Sequence, residues 1–176
     1  MNLANQITIL RILLIPFFIS FILYSKWELA LLVFIIAAIS DAVDGYIART
    51  IKDKTKLGKV LDPIADKLLI LSAFICLSVA KQLSPSVKPP LYVPITIISR
   101  DAIIVLGAVL IYFVKGDLVV KPTLISKITT FFQMATVIGI LLRFPLSPLL
   151  WNIAVGFTIC SGVDYVIRGS RYLNDK

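Results

Sequence analysis

The sequence contains no histidine and only two cysteines, and charged residues make up 16% of its 176 positions. The lack of histidine excludes zinc sites with imidazole ligands and catalysis by a serine–histidine pair. Cys76 and Cys160 lie inside apolar stretches without a CxxC spacing, so we interpret them as small buried hydrophobic residues. The low charge content also argues against an ordinary soluble domain.

Long apolar segments, in contrast, are abundant. Hydrophobic residues make up 59% of the chain and are concentrated in six runs. The runs lie near residues 7–25, 28–47, 60–80, 92–114, 124–143 and 147–167. Each is long enough to cross a bilayer as a helix, and no remaining stretch could form a separate soluble domain. We therefore predict an all-α integral membrane protein with six transmembrane helices in a single domain, residues 1–176.

The first run lacks the features of a cleaved signal peptide. Its first cation, Arg11, lies inside the run, and no clear small-residue cleavage site follows. We predict that this segment is retained as the first helix. Its opening residues could equally form a short interfacial segment.

The positive charges are distributed unevenly over the predicted connections, and the formal net charge is +8. They are concentrated in the C-terminal tail and in the connections between helices two and three and between helices four and five. The connections on the other side carry only Lys26, Lys81, Lys88 and Arg143. The positive-inside rule then places both termini and the helix two–three connection on the cytosolic side of the cytoplasmic membrane. Because the cations flank membrane spans, they favour anionic lipids and phosphorylated substrates as partners, and not nucleic acid.

Four aspartates lie at the predicted cytosolic ends of helices two and three. The pattern is Asp41-x2-Asp44-Gly45-x2-Ala48-Arg49-x8-Gly58-x3-Asp62-x3-Asp66. Spacings of three and four residues put each aspartate pair on one face of its helix. The short connection makes the helices antiparallel, so the two faces can meet, with glycines where a ligand or the facing helix approaches.

Four carboxylates at one point would repel one another without a counter-charge. Two divalent ions, Mg²⁺ or Mn²⁺, would balance them and prefer oxygen ligands. Paired metal ions are a recurrent arrangement for displacement at phosphorus. The cluster therefore predicts chemistry on a phosphate-bearing lipid, whereas Asp53, between Lys52 and Lys54, is interpreted as a solvated residue.

From Asp41 to Asp66 the sequence resembles the signature of the CDP-alcohol phosphatidyltransferases, and the size and six predicted spans agree. The resemblance implies transfer of a phosphatidyl group from CDP-diacylglycerol to an alcohol, with release of CMP. It implies metal ligation by Asp41, Asp44, Asp62 and Asp66, with Asp66 also acting as the base for the attacking hydroxyl. It also implies a homodimer.

The resemblance further implies which residues bind the two substrates. For CDP-diacylglycerol they are Asn5, Thr8, Gly45, Ala48, Arg49 and Gly58. The opening Asn5-x2-Thr8-x2-Arg11-x4-Pro16 is similar to the phosphatidylglycerophosphate synthase branch, whose acceptor is sn-glycerol 3-phosphate. Because this acceptor is a dianion, we expect cations near the metals. The candidates for the acceptor phosphate are Arg11, Arg100, Lys121 and Lys127.

Alternatives remain open at this point. Arg100 could form a structural ion pair, Lys127 could be an interfacial anchor, and Arg11 could serve in helix packing. The segments around Arg100 and Lys127 resemble cardiolipin synthases of the same family, which use phosphatidylglycerol as the acceptor. A divalent-cation transporter would spread its acids along the membrane depth, whereas here they cluster at one end. A non-catalytic lipid-binding protein would not require Asp66.

Overall fold

The computed structural model describes residues 3–51, 58–115 and 123–174. Within these ranges it does not describe the side chains of residues 3–7, 41–51, 58–64, 66, 112, 114–115 and 173–174. All regular structure in the described ranges is helical. The helices are α1 (Leu3–Leu23), α2 (Trp27–Ile51), α3 (Gly58–Val79), α4 (Tyr92–Lys115), α5 (Leu124–Leu141) and α6 (Ser147–Asn174).

The helices follow the six predicted apolar runs, and two of them begin with residues typical of helix starts. The Thr123 hydroxyl accepts a hydrogen bond from the Ser126 backbone N–H at 3.2 Å, which caps the start of α5. Pro148 occupies the first turn of α6, where its missing N–H costs nothing. Helix α1 runs unbroken from Leu3, so the described opening residues extend the first helix and form no separate segment.

The exposed sides of the helices are largely apolar, as expected for an integral membrane protein. Three helices contain segments long and apolar enough to span a membrane, namely Tyr92–Ile111, Leu124–Leu141 and Ser147–Tyr172. In the other three, the described apolar segments are shorter: Thr8–Leu23, Trp27–Ser40 and Lys67–Val79. Large hydrophobic side chains such as Phe17, Ile39 and Leu106 are more than half exposed, which suits contact with lipid.

The contacts divide the chain into two compact units. The first contains residues 1–88 and 137–145, and the second contains residues 89–136 and 146–176. In the first unit α1 packs against both α2 and α3. Its core is formed by one stripe of each helix, and alanines in the α2 and α3 stripes allow the helix backbones to approach closely. The prediction of a single domain stays a prediction.

In the second unit α4 packs against α6, and polar contacts connect α5 to α6. The Gln133 amide nitrogen donates to the Thr158 hydroxyl at 3.1 Å. The rings of Phe132 and Phe157 stack with centroids 5.0 Å apart. The hydrogen bond between Gln133 and Thr158 fixes the register of α5 against α6, because leaving either polar group unpaired in lipid would cost several kcal/mol.

Candidate active site

The four predicted metal ligands lie on α2 and α3, at the ends predicted from the sequence. Asp41 and Asp44 belong to α2, and Asp62 and Asp66 belong to the first turns of α3. The backbone is helical at all four positions, whereas their side chains lie outside the described part of the structure. Their convergence into one cluster therefore stays a prediction.

Helical periodicity predicts that these positions share the buried sides of α2 and α3. In α2 the buried stripe includes Ala30, Val33 and Ala37, and Asp41 and Asp44 follow Ala37 by four and seven residues. Seven residues are nearly two full helical turns, so the aspartate positions continue the same stripe.

The same periodicity holds in α3. Its buried stripe includes Leu69, Ala73 and Leu77, and Asp62 and Asp66 precede Leu69 and Ala73 by seven residues each. Helix α1 packs against both α2 and α3. The stripes that these aspartate positions would extend therefore belong to the two helices that pack on α1.

Helix α1 contributes two buried polar side chains to this part of the unit. Thr8 and Arg11 are each fully buried and continue the stripe of Ile15, Phe18 and Ile22. A guanidinium is buried without great cost only beside acceptors or anions. Since α1 and α2 are joined by three residues and pack together, they are antiparallel, and Arg11 lies toward the aspartate end of the pair.

The remaining predicted donor contacts lie on the same helices. Asn5 is on α1, Gly45, Ala48 and Arg49 are on α2, and Gly58 is the first residue of α3. Apart from Thr8, none of their side chains is in the described part of the structure. The helical register nevertheless places Asn5, Thr8 and Arg11, at intervals of three residues, along one side of α1.

Arg100 forms the central polar contact of the second unit. It lies on α4 and is 7% exposed. Its Nη1 donates to Asp101 Oδ1 at 2.8 Å, and its Nη2 lies 2.6 Å from both the Ser126 and the Ser161 hydroxyl oxygens. One guanidinium thus connects α4, α5 and α6. Its Nε is buried and has no hydrogen-bond partner among the described residues.

The two lysine candidates differ in what the structure describes. Lys127 is exposed in the first turn of α5, one residue after Ser126. Lys121 lies outside the described residues. Arg100 and Lys127 belong to the second unit and Arg11 to the first, so the structure brings Arg100 and Ser126 together but describes Arg11 separately.

Sequence reasoning singled out Arg100 but missed its two serine partners. Ser161 is 2% exposed, and its hydroxyl is committed to Arg100. A signal was available, because Thr158 and Ser161 are polar residues three apart in an otherwise apolar membrane helix and must face protein. The sequence does not reveal which helix they face.

Comparisons with known proteins show the family to which the chain belongs. The sequence profile of the CDP-alcohol phosphatidyltransferases matches residues 1–160. A Bacillus subtilis protein named CDP-diacylglycerol–glycerol-3-phosphate 3-phosphatidyltransferase is 37% identical, over 93% of each chain.

Two further relatives cover almost the whole chain. A Mycobacterium tuberculosis protein named "Probable phosphatidylglycerophosphate synthase" is 35% identical over 97% of this chain and 82% of its own. A Schizosaccharomyces pombe fusion protein, named for cardiolipin synthase (CMP-forming) and a mitochondrial hydrolase, is 32% identical over 98% of this chain and 32% of its own. With its profile match, its apolar helices and its aspartate positions, the chain belongs to the CDP-alcohol phosphatidyltransferase family.

Proposed function

We propose that this protein transfers a phosphatidyl group from CDP-diacylglycerol to the hydroxyl of sn-glycerol 3-phosphate, giving phosphatidylglycerophosphate and CMP. Two relatives that cover most of the chain carry names for this activity. The observation that carries the proposal is the register of the first unit. Three helices bury one stripe each, and the stripe of α1 includes Thr8 and Arg11. Helical periodicity extends the stripes of α2 and α3 to the sequence positions of the four aspartates.

Members of the family generally depend on a divalent metal. The donor set fits such an ion, because carboxylate oxygens are the ligands that Mg²⁺ and Mn²⁺ prefer. We propose that Asp41, Asp44, Asp62 and Asp66 hold two of these ions. When bound, the ions would neutralise the diphosphate and stabilise the leaving phosphate. Four carboxylates and one buried arginine on these stripes would carry a net negative charge, which two dications offset.

The chain itself would supply the base and the alignment of the substrates. In the proposed reaction the hydroxyl oxygen of the acceptor attacks the lipid-side phosphorus of CDP-diacylglycerol. Asp66 accepts the proton of that hydroxyl during the attack. A phosphorus–oxygen bond to the acceptor forms, and the bond from that phosphorus to the bridging oxygen of the diphosphate breaks, so CMP departs with the electron pair. Most of the rate enhancement would come from positioning and charge neutralisation.

The donor would be held by the first three helices. We propose that its cytidine diphosphate contacts Asn5, Thr8, Gly45, Ala48, Arg49 and Gly58. Thr8 is the one whose side chain is described, and it is fully buried on the α1 stripe. Small residues at 45, 48 and 58 would allow the nucleotide to approach the helix backbone.

The acceptor phosphate would be held by cations. Arg100 supports this proposal, because Asp101 and the two serines hold its guanidinium in place and its Nε–H has no partner among the described residues. Such a pre-positioned guanidinium suits a dianionic phosphate. Lys127, close by in sequence to Ser126, and Lys121 and Arg11 complete the proposed set.

A direct assay tests the proposed function. Purified protein is incubated with CDP-diacylglycerol, Mg²⁺ and single acceptors, and CMP is measured. We expect CMP release with sn-glycerol 3-phosphate, loss of release on chelation with EDTA, and recovery on adding Mg²⁺ or Mn²⁺. Release that persists undiminished in the chelator, or no release with any alcohol acceptor, would contradict the proposal.

A second acceptor is favoured by a specific comparison. The Schizosaccharomyces pombe relative named for cardiolipin synthase matches 98% of this chain. Phosphatidylglycerol would then replace glycerol 3-phosphate while the donor site and the chemistry stay the same. The same assay distinguishes the two, because the product is either a phosphatidylglycerophosphate or a lipid with four acyl chains, which mass spectrometry separates.

The membrane, the sidedness and the oligomeric state are also part of the proposal. The excess of lysine and arginine in the tail and in the α2–α3 and α4–α5 connections supports a cytoplasmic membrane with the aspartate end in the cytosol. The proposed homodimer rests on the family resemblance, and cross-linking of the protein in native membranes would test it.

A further inference from the structure

Helices α1 and α5 end in the same backbone motif. At the end of α1, the Ser25 N–H donates to the Ile22 carbonyl and the Lys26 N–H donates to the Phe21 carbonyl. At the end of α5, the Arg143 N–H donates to Ile140 and the Phe144 N–H to Gly139 in the same pattern. Both ends are Schellman motifs, in which one residue adopts the left-handed conformation.

Neither left-handed residue is the glycine that usually fills this position. Ser25 has a φ of 59° and Arg143 a φ of 55°. A side chain in this region is strained relative to glycine, because its Cβ approaches the backbone too closely. Such strain at two helix ends suggests that the side chains of Ser25 and Arg143 serve a purpose beyond ending the helices.

The two helix ends line one cavity of about 580 Å³ within the first unit. Lys26 and Arg143 give the cavity two cations, against the single carboxylate of Glu28. The Arg143 guanidinium carbon lies 5.8 Å from the centre of the Trp27 ring, a cation–π contact that orients it. The remainder of the lining includes four leucines, from α2 and the end of α5.

Ser25 adds an unused hydrogen-bonding group to the same cavity. Its hydroxyl oxygen is buried and has no hydrogen-bond partner within the described part of the chain. An unsatisfied buried hydroxyl destabilises the fold, and a hydrogen bond to an acceptor oxygen of a ligand would remove this cost. Part of the charge of Lys26 and Arg143 balances the carbonyls at the ends of their own helices. The lining of the cavity nevertheless has two cationic side chains and one carboxylate.

The cavity lies at the end of the α1–α2 pair that is remote from the aspartates. Trp27 precedes Asp41 by 14 residues of continuous helix, which corresponds to about 21 Å. In a membrane protein this separation puts the cavity near the headgroups of the leaflet opposite the aspartate end. At this depth a lipid presents both its polar headgroup and the first part of its acyl chains. The cavity matches both, because the buried Trp27 lies beside cations and leucines.

We propose that this cavity binds the phosphate of an anionic phospholipid from that leaflet. Lys26 and Arg143 pair with the lipid phosphate, the Ser25 hydroxyl donates to one of its oxygens, and the leucines contact the first methylenes of the acyl chains. The lipid, and not free phosphate, is the occupant, because a small anion would leave the leucine surface of so large a cavity uncovered. The site is separate from the proposed catalytic centre.

The fluorescence of Trp27 reports on the cavity directly. The protein has two tryptophans, so a Trp151→Phe background leaves Trp27 as the single emitter. Purified protein in non-ionic detergent is titrated with phosphatidylglycerol, phosphatidylcholine or inorganic phosphate. We expect a saturable change with phosphatidylglycerol alone. The double variant Lys26→Gln/Arg143→Gln should weaken the apparent affinity roughly thirtyfold, since each of the two cations near a membrane surface contributes about 1 kcal/mol.

Two further variants make the test decisive. Lys81→Gln/Lys88→Gln removes the same charge from residues that do not line the cavity and should leave the affinity unchanged. Glu28→Gln removes the carboxylate and should tighten binding, a gain that misfolding cannot produce. An equal response to phosphatidylcholine or to inorganic phosphate would overturn the proposal. So would equal losses in the two double variants, or weaker binding in Glu28→Gln. The readout needs no turnover, so its failure would leave the proposed function untouched.

Discussion

The rings of Phe18 on α1 and Phe34 on α2 are in contact, with their centroids 5.6 Å apart. Because the two helices are antiparallel, this pair sets their register. Seven residues toward the start of α1 from Phe18 is Arg11, and seven residues toward the end of α2 from Phe34 is Asp41. Ten residues in the same directions give Thr8 and Asp44. The register thus places the α1 polar residues level with the first aspartate pair.

This register predicts a cross-link between α1 and α2. In a background of Cys76→Ala and Cys160→Ala, the variant Thr8→Cys/Asp44→Cys should form a disulfide or react with a short bismaleimide, because packed helices are about 8–10 Å apart. The mass difference between open and cross-linked protein gives the measurement. Leu10→Cys/Asp44→Cys is the matched control, since Leu10 is exposed on another side of α1. Equal cross-linking of both pairs would contradict the register.

The aspartate cluster predicts a selective loss of activity. Asp62→Asn and Asp66→Asn should each lower the rate of CMP release at least about a hundredfold, because the charge that holds the metals and the proposed base are removed. The protein should still be produced and remain folded in detergent.

Asp53→Asn is the control for this loss. It removes the same charge from a residue that we interpret as solvated, and which lies outside the described part of the structure. Its rate of CMP release should stay within about twofold of the parent. A rate in Asp62→Asn or Asp66→Asn close to that of Asp53→Asn would exclude the proposed mechanism.

The contact of Arg100 with Ser161 predicts an effect on stability. Ser161→Ala removes one buried acceptor from a charged donor and should lower the free energy of unfolding by about 1.5–3 kcal/mol. Denaturant unfolding in detergent micelles gives the measurement. Ser84→Ala is the control, because it removes only an exposed hydroxyl contact in the α3–α4 connection. It should change the free energy of unfolding by less than about 0.5 kcal/mol.

The same pair distinguishes a purely structural arginine from one that binds the acceptor. If Arg100 binds the acceptor phosphate, Ser161→Ala should raise the KM for sn-glycerol 3-phosphate more than the KM for CDP-diacylglycerol, and Ser161→Thr should restore it. Parallel changes in both constants would assign Arg100 to helix packing alone.

Close packing of α4 on α6 predicts opposite effects at two glycines. A Cβ at position 107 would lie 2.9 Å from Cε1 of the Tyr165 ring, whereas at Gly156 it would meet nothing within 4 Å. Gly107→Ala should therefore lower the free energy of unfolding by about 1–3 kcal/mol through overpacking. Gly156→Ala should leave the free energy of unfolding unchanged or raise it by up to about 1 kcal/mol, because alanine is the better helix former. Thermal unfolding of both variants tests this, and a Gly107→Ala protein as stable as Gly156→Ala would show that the interface is looser.

Much of the helix pattern could be predicted from hydrophobicity. The predicted run of residues 28–47 corresponds to α2, which the structure extends to Trp27–Ile51. The helix continues past the apolar run because the backbone of a membrane helix must keep its hydrogen bonds. The aspartate positions were likewise readable, since spacings of three and four residues specify one side of a helix before any tertiary contact is known. The partners of Arg100 could not be predicted, because nothing in the sequence indicates that two serines 35 residues apart contact the same side chain.

The sequence by itself determined which segments are helices, which ends of them carry acids or cations, and the family to which the chain belongs. These properties depend on local chemistry: the cost of exposing backbone to hydrocarbon and the periodicity of the helix. Only the tertiary structure decided that Arg11 is fully buried, that Arg100 connects three helices, and that Ser25 and Arg143 line one cavity. Such relationships depend on how helices distant in sequence pack, and packing is a property of the whole fold.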